Sequence, residues 1–321
     1  MTMEAPAAFV LAAGLGTRLA PLTDLLPKPL IPLFHKPLLT FALDSLIAAG
    51  VGTLALNTHH LPGAFHEHFG AIPTYRDRPL SLFHEPLLLD TGGGIRNARQ
   101  ALGSGTFLVY NGDILGDLPL TDLLAQHKSS GSLATLLLRP TGGKANVRLD
   151  ESSGLVLDLR EELGRGEGRE VVYSGIAAFE PAILDWIPTA VPFSVIDALL
   201  AALRSGERVG GMLCQEGLWI DLGTPAAYLD AHRLLADPAF RPSYVEDRAW
   251  PCPIHPKANI ASSAMLGGMV AAGPGAVVGE GAHVCDSILW PGAVIAPGSW
   301  IEGCIVSGRS PVSGSHAGGV L

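Results

Sequence analysis

Residues 7–33 read AAFVLAAGLGTRLAPLTDLLPKPLIPL. The opening AAFVL is a short apolar run suited to a buried strand. Gly14 and Gly16 follow at once, where backbone N–H groups can turn toward a ligand with no Cβ in the way. Arg18 adds a planar fork of donors that matches phosphate oxygens. Pro27 and Pro29 frame Lys28 and fix the backbone around it, so that its ammonium is offered to the same anion. A strand that runs into a glycine loop with two cations behind it is an anion-binding start to an α/β domain. No Gly-Lys-Ser/Thr follows, which excludes a Walker A loop, and Leu19 stands where the dinucleotide fingerprint has its third glycine.

Working outward, strand and helix patterns alternate to about residue 235. PLLTFALDSLIAAG (37–50) reads as a helix closed by Gly50, and VGTLALNT (51–58) as the next strand. TFLVYNGD (106–113) is another apolar run that ends in polar residues, followed by a helix over 120–127. VVYSGIAAFEP (171–181), FSVIDALLAALRSG (193–206) and GLWIDLGTPAAYLDAHRLLAD (217–237) complete the series, and Thr224 with Pro225 is a helix start. Strands separated by helices imply a doubly wound, mostly parallel sheet with its ligands at the carboxyl ends of the strands.

After Asp237 helical periodicity stops and Gly, Pro and Ala dominate. Apolar or small residues recur every six positions at Ile254, Ile260, Leu266, Ala272, Val278, Val284 and Trp290, then after one dropped residue at Ile295 and Ile301. This is the hexapeptide signature of a parallel β-helix, in which each side of a triangular prism buries one side chain. The expected organisation is a domain over 1–237, a linker over 238–253, a β-helix of under three turns over 254–308, and a loose tail over 309–321.

A chain of 321 residues holds a large domain and a smaller one. Its net charge of −9 argues against a nucleic-acid partner, so any anion must be held by local cations and backbone N–H groups. Cys214, Cys252, Cys285 and Cys304 show no CxxC spacing, which suits a reducing cytoplasm better than a disulfide frame or a zinc site. The N-terminal stretch has no basic region before its apolar run, which argues against a secretory signal. The longer apolar stretch from Leu38 to Leu56 is broken by Asp44, Ser45 and Gly50, so no membrane span is expected. His59, His60, His66 and His68 crowd one segment, but His66 and His68 lack the i,i+4 spacing of helical metal ligands.

Residues 11–33 resemble the signature of the sugar-1-phosphate nucleotidylyltransferases. Three further stretches agree in order: EPLLLDTGGGIRNA (85–98), VYNGD (109–113) and GLWIDLGTP (217–225). The resemblance covers roughly residues 5–235, and guanylyltransferase-type members carry a C-terminal β-helix, which it implies is left-handed. It implies attack of a sugar-1-phosphate oxygen on the α-phosphorus of a nucleoside triphosphate, with pyrophosphate leaving. The nucleophile is already ionised, so positioning, Mg²⁺ and fixed cations carry the chemistry.

The same resemblance implies the roles. Arg18, Lys28 and Asp113 are the expected catalytic residues, and Asp113 with Asp221 the metal ligands. Leu11, Ala13, Gly14, Gly16 and Thr17 line the nucleotide, and Glu85, Thr91, Gly92 and Gly93 its base. Asn111, Asn146 and Gly175 face the sugar. Many relatives carry Glu-Lys-Pro before the YSGI strand, and its lysine grips the sugar phosphate; this chain has DLREELGRG there, with Arg160 as the replacement. Substrate cues divide. LLLDTGGGI resembles members acting on N-acetylmuramic acid or heptose phosphates, whereas the β-helix resembles the mannose-1-phosphate guanylyltransferases. GTP with mannose 1-phosphate, or with a heptose 1-phosphate, is therefore weighed against a UTP-dependent uridylyltransferase. A regulatory protein that only binds an NDP-sugar could dispense with a reactive residue, yet Arg18, Lys28, Asp113 and Asp221 are all present. An acyltransferase β-helix would need more coils and a catalytic histidine. The resemblance also implies a homodimer or higher homo-oligomer.

Overall fold

Ala7–Leu11 (β1) is buried along all but its last residue, as a strand covered on both faces must be. It lies inside a ten-stranded sheet in the computed structural model, which describes residues 5–321. The other strands are Thr53–Thr58 (β2), Thr74–Tyr75 (β3), Arg78–His84 (β4), Phe107–Asn111 (β5) and Ala134–Arg139 (β6). Val147–Asp150 (β7), Leu155–Leu159 (β8), Arg169–Phe179 (β9) and Val209–Leu213 (β10) complete it, in the order β7-β8-β10-β6-β9-β5-β1-β2-β4-β3.

The parallel frame is as expected: β1 runs parallel to β2 and β5, β2 to β4, and β6 to β10. The sheet is nevertheless mixed. Strand β9 lies antiparallel between β5 and β6. A parallel neighbour needs a crossover, usually a helix, and between β6 and β9 the chain provides only the β7–β8 hairpin. The β9–β6 register shifts between Tyr173 and Ala177, and Gly175 there has φ +83°. This bulge re-aims the strand at the carboxyl end of β5.

By contacts the described chain forms two units. One contains the residues up to Leu15 and Leu39–Ile220; the other contains Gly16–Leu38 and Asp221–Leu321. The first unit buries Phe9, Phe107, Leu136, Phe179 and Leu199 in one apolar cluster, with the Phe107 and Phe179 rings 5.8 Å apart.

In the second unit, Thr224 caps the helix Pro225–Leu235 by accepting from Ala227 N–H at 3.2 Å, as its sequence predicts. Residues 238–253, expected to be a linker, are packed: Trp250 is buried and its indole N–H donates to Leu33 O at 3.1 Å. Three small parallel sheets follow, whose strands repeat every 17 or 18 residues over most of their length, as Asn259 pairs Val277 and Val277 pairs Val294. The inward series differs from the sequence reading at one step. Leu289 joins the apolar core of these sheets in place of Trp290, because the dropped residue falls before it: Ala272 pairs Leu289 at a spacing of 17. Trp290 turns outward and donates to Tyr228 Oη at 3.2 Å. The tail also corrects the expectation. Ser315–Ala317 pairs in parallel with Trp300–Glu302, and Ser307 N–H donates to Leu321 O, so residues 309–321 extend the repeat. Leu266 stays 39% exposed on Met265–Gly267, the end strand of its sheet, which pairs with His283–Cys285.

No described helix is long and apolar enough to cross a membrane.

Candidate active site

The second unit brings three of the expected residues together. Lys28 is 5% exposed, and its Nζ lies 3.3 Å from Asp221 Oδ1. Arg18 Nη2 lies 3.5 Å from Asp221 Oδ2. Two prolines hold Lys28 in a single helical turn, Lys28–Leu30. Gly16, at φ +63°, lets the loop close: a Cβ there would sit 2.9 Å from both Lys28 Cβ and Thr23 Cγ2. Gly223 serves the same end for Arg18, whose guanidinium lies 2.7–2.9 Å from where a Cβ would be. Thr17 and Arg18 remain exposed.

The first unit carries the rest. Gly14 has open space where a Cβ would be, so no packing against the protein demands a glycine there. Gly112 N–H donates to Leu11 O at 2.9 Å, which fastens the Asn111–Asp113 turn to the root of the glycine loop. Ala13 is buried beside that root. At the carboxyl ends of β1 and β5 opens a cavity of about 190 Å³, lined by Leu11, Thr91, Asn111, Asn146, Arg160 and Tyr173 among others. Gly175 backs Asn111: a Cβ there would lie 2.7 Å from Asn111 Nδ2. Asn146 is oriented by Tyr173 N–H, which donates to its Oδ1 at 2.9 Å. Burial pushes the Tyr173 phenol well above its ordinary range, so it stays neutral. Arg160 Nη1 lies 3.8 Å from Asp197 Oδ1.

The residues assigned to the base have partners within the protein. Glu85 is buried, and its Oε1 accepts from Asn57 Nδ2 at 2.8 Å while Oε2 accepts from Leu89 N–H at 2.9 Å. Asn57 Oδ1 in turn accepts Ala12 N–H at 2.7 Å. Glu85 thus braces the glycine loop through Asn57, a role the sequence reading missed along with Asn57 itself. Thr91, Gly92 and Gly93 open the helix Asp90–Asn97. Thr91 Oγ1 accepts from Val195 N–H at 2.9 Å, and Cβ atoms on Gly92 or Gly93 would strike the backbone of Val191–Val195. Of the clustered histidines, His59 bonds through Nδ1 to Glu85 O.

Asp221 offers hard carboxylate oxygens, the donor type Mg²⁺ takes, beside two cations that suit phosphate. Among the described residues no three His, Cys, Asp or Glu side chains gather in a metal cluster. Mg²⁺ in nucleotide sites usually rests on one or two carboxylates plus phosphates and water, so the donor set fits that ion.

Residues 7–237 match the family model described as nucleotidyl transferase, and residues 249–316 match the GMPPB C-terminal domain. A mannose-1-phosphate guanylyltransferase of Mycobacterium tuberculosis is 33% identical over 93% of this chain and 82% of its own length. Mannose-1-phosphate guanylyltransferase 1 of Arabidopsis thaliana is 28% identical, over 95% of this chain and 87% of its own. A UTP–glucose-1-phosphate uridylyltransferase of Synechocystis is 24% identical over 94% of this chain and 87% of its own. Among solved structures, a UDP-glucose pyrophosphorylase of Acinetobacter baumannii shares the fold with TM-score 0.63 at 17% identity, covering 74% of this chain and 96% of that one.

Proposed function

This chain belongs to the nucleotidyl transferase family, and from that premise we propose that it makes GDP-mannose from GTP and mannose 1-phosphate. The class of reaction is that of its relatives: a nucleotidyl group passes from a nucleoside triphosphate to a sugar 1-phosphate, giving an NDP-sugar and pyrophosphate. The specific reading is carried by one observation, the match to guanylyltransferases that runs through both the catalytic region and the C-terminal repeat.

The sugar-1-phosphate oxygen attacks the α-phosphorus, a new P–O bond forms, and the bond to the β-phosphate oxygen breaks. No proton has to move, because the nucleophile is an anion. Two anions must therefore be brought together and charge spread over the crowded phosphorus, which is work for fixed cations and N–H donors. Arg18 and Lys28, released from Asp221, turn their donors to the phosphate oxygens. Leu11, Ala13, Gly14, Gly16 and Thr17 supply the loop along the triphosphate, and the open side of Gly14 leaves room for it. Mg²⁺, when bound, neutralises the triphosphate and polarises the α-phosphate. Asp221 is its proposed ligand, with Asp113, proposed from its sequence motif, as the second carboxylate.

The cavity beside Asn111 takes the sugar. At about 190 Å³ it is smaller than the roughly 300–1,000 Å³ of sites that enclose drug-sized ligands, so it suits one ring. Asn111 and Asn146 offer amides to ring hydroxyls, and Arg160 takes the phosphate in place of the lysine of other members. The repeat domain is read as a left-handed β-helix that pairs subunits, supported by the exposed Met265 and Trp300 on one of its faces. The chain is assigned to the cytoplasm.

A grid of four nucleoside triphosphates against mannose, glucose, N-acetylmuramic acid and heptose 1-phosphates tests the reading through pyrophosphate release. GTP with mannose 1-phosphate should dominate. A dominant UTP cell would instead favour the uridylyltransferase reading, which the Synechocystis relative supports.

A further inference from the structure

Seven charged side chains crowd residues 160–170, and of these Arg160 alone lines the cavity. The backbone explains the selection. Arg160 and Glu161 are both left-handed, at φ +57° and +63°, a conformation that non-glycine residues keep only where their surroundings enforce it. Asp158 enforces it here. The residue is 2% exposed, and its carboxylate accepts Leu163 N–H through both oxygens at 3.0 and 3.1 Å and Arg165 N–H through Oδ2 at 3.3 Å. One buried carboxylate thus closes the loop from residue 158 to 165 with charge-assisted bonds, and Arg160 sits at its turn. A second fastening comes from Arg160 N–H, which donates to Asn146 O at 2.9 Å. The guanidinium then rests at the rim, 3.8 Å from Asp197.

We propose that Asp158 is a positioning residue for the sugar-1-phosphate site, acting only through Arg160, whose guanidinium Asp197 holds at the rim until the substrate phosphate replaces it. This rests on reading the cavity as the sugar site. Asparagine at 158 keeps one acceptor and puts an amide donor against backbone N–H groups, so the loop loosens and Arg160 is no longer aimed.

The experiment uses the full chain with GTP and either mannose or glucose 1-phosphate, in wild type, Asp158→Asn, Arg160→Gly and the double variant. Glycine adopts the backbone of residue 160 without strain, so Arg160→Gly removes the side chain and spares the loop. Each single variant should raise KM for the sugar 1-phosphate about tenfold, with KM for GTP within about twofold, the loss of one positioned charge-assisted contact. The double variant should be no worse than Arg160→Gly, because Asp158 then has nothing left to aim. Guanidinium ion should restore part of the rate to Arg160→Gly. Additive losses, or an equal rise in KM for GTP, would overturn the positioning role. A wild type that turns over while Asp158→Asn keeps its KM would overturn it too, and would leave the parent reading standing. A wild type silent on both sugars overturns the parent reading, and the positioning role with it.

Discussion

Lys28 reaches across 193 residues of chain to place its ammonium 3.3 Å from Asp221 Oδ1, although the lysine is almost wholly buried and the carboxylate is not. That carboxylate offsets part of the cost of burying the ammonium. Asp221→Asn should therefore act twice. Turnover falls by about a hundred- to thousandfold as the proposed metal carboxylate is lost, and stability falls by about 1–2 kcal/mol, the modest figure that suits a half-exposed partner. Asp113→Asn should match it in turnover. Steady-state rates and urea unfolding of both variants check the pair. Near-normal rates in either would remove that residue from the metal assignment.

Gly175 sits at φ +83° with Ile114 Cδ1 and Asn111 Nδ2 at 2.6 and 2.7 Å from the place of a Cβ. Gly175→Ala combines a strained backbone with a clash at the Asn111 amide, which is proposed to face the sugar. It should cost about 1–3 kcal/mol and raise KM for the sugar 1-phosphate more than KM for the nucleotide. Equal shifts in both would place the damage outside the sugar site.

Glu85 accepts on both oxygens from Asn57 and Leu89 N–H. Glu85→Gln turns one acceptor into a donor facing a donor, and Asn57 cannot flip in response because its Oδ1 already holds Ala12 N–H. About 1–3 kcal/mol of stability should be lost, and the base preference on the substrate grid should not change. An altered base preference would return Glu85 to the nucleotide.

His232 is buried, with Nε2 accepting from Phe34 N–H at 3.2 Å and Nδ1 paired to Tyr228 O at 3.0 Å. Burial, with a smaller push from His35, lowers its pKa from 6.5 to about 4. The unfolded chain takes up that proton first as pH falls. The full contribution to stability is thus present above pH 6.5 and drains away toward pH 4, a loss of about 3 kcal/mol at the end of that window. In denaturant titrations His232→Gln should lose that much less than wild type between pH 7 and pH 4.

The glycine loop, its two cations and the parallel C-terminal strands were legible because each is a local pattern with a local cause. Other features depend on partners distant in sequence. The direction of β9 follows from the absence of a crossover helix, which periodicity alone does not display. Trp290 keeps the six-residue phase, yet Leu289 fills the core of the parallel sheets because the residue is dropped one step earlier. Residues 309–321 carry few large apolar groups, so their pairing with the Trp300–Glu302 strand left little trace in composition. Glu85 looked like a ligand residue, and only the bond through Asn57 to Ala12 reveals a brace. Asp158 was hidden in a charge run, where burial rather than residue type distinguishes it.

Phosphorus NMR of the purified chain with GTP, mannose 1-phosphate and Mg²⁺ follows the proposed transfer bond by bond. The mannose 1-phosphate signal should fall while the paired signals of a sugar diphosphate nucleotide and an equal amount of pyrophosphate appear, and none of this should occur without the metal. Orthophosphate with GDP, or an unchanged mannose 1-phosphate signal, would contradict it.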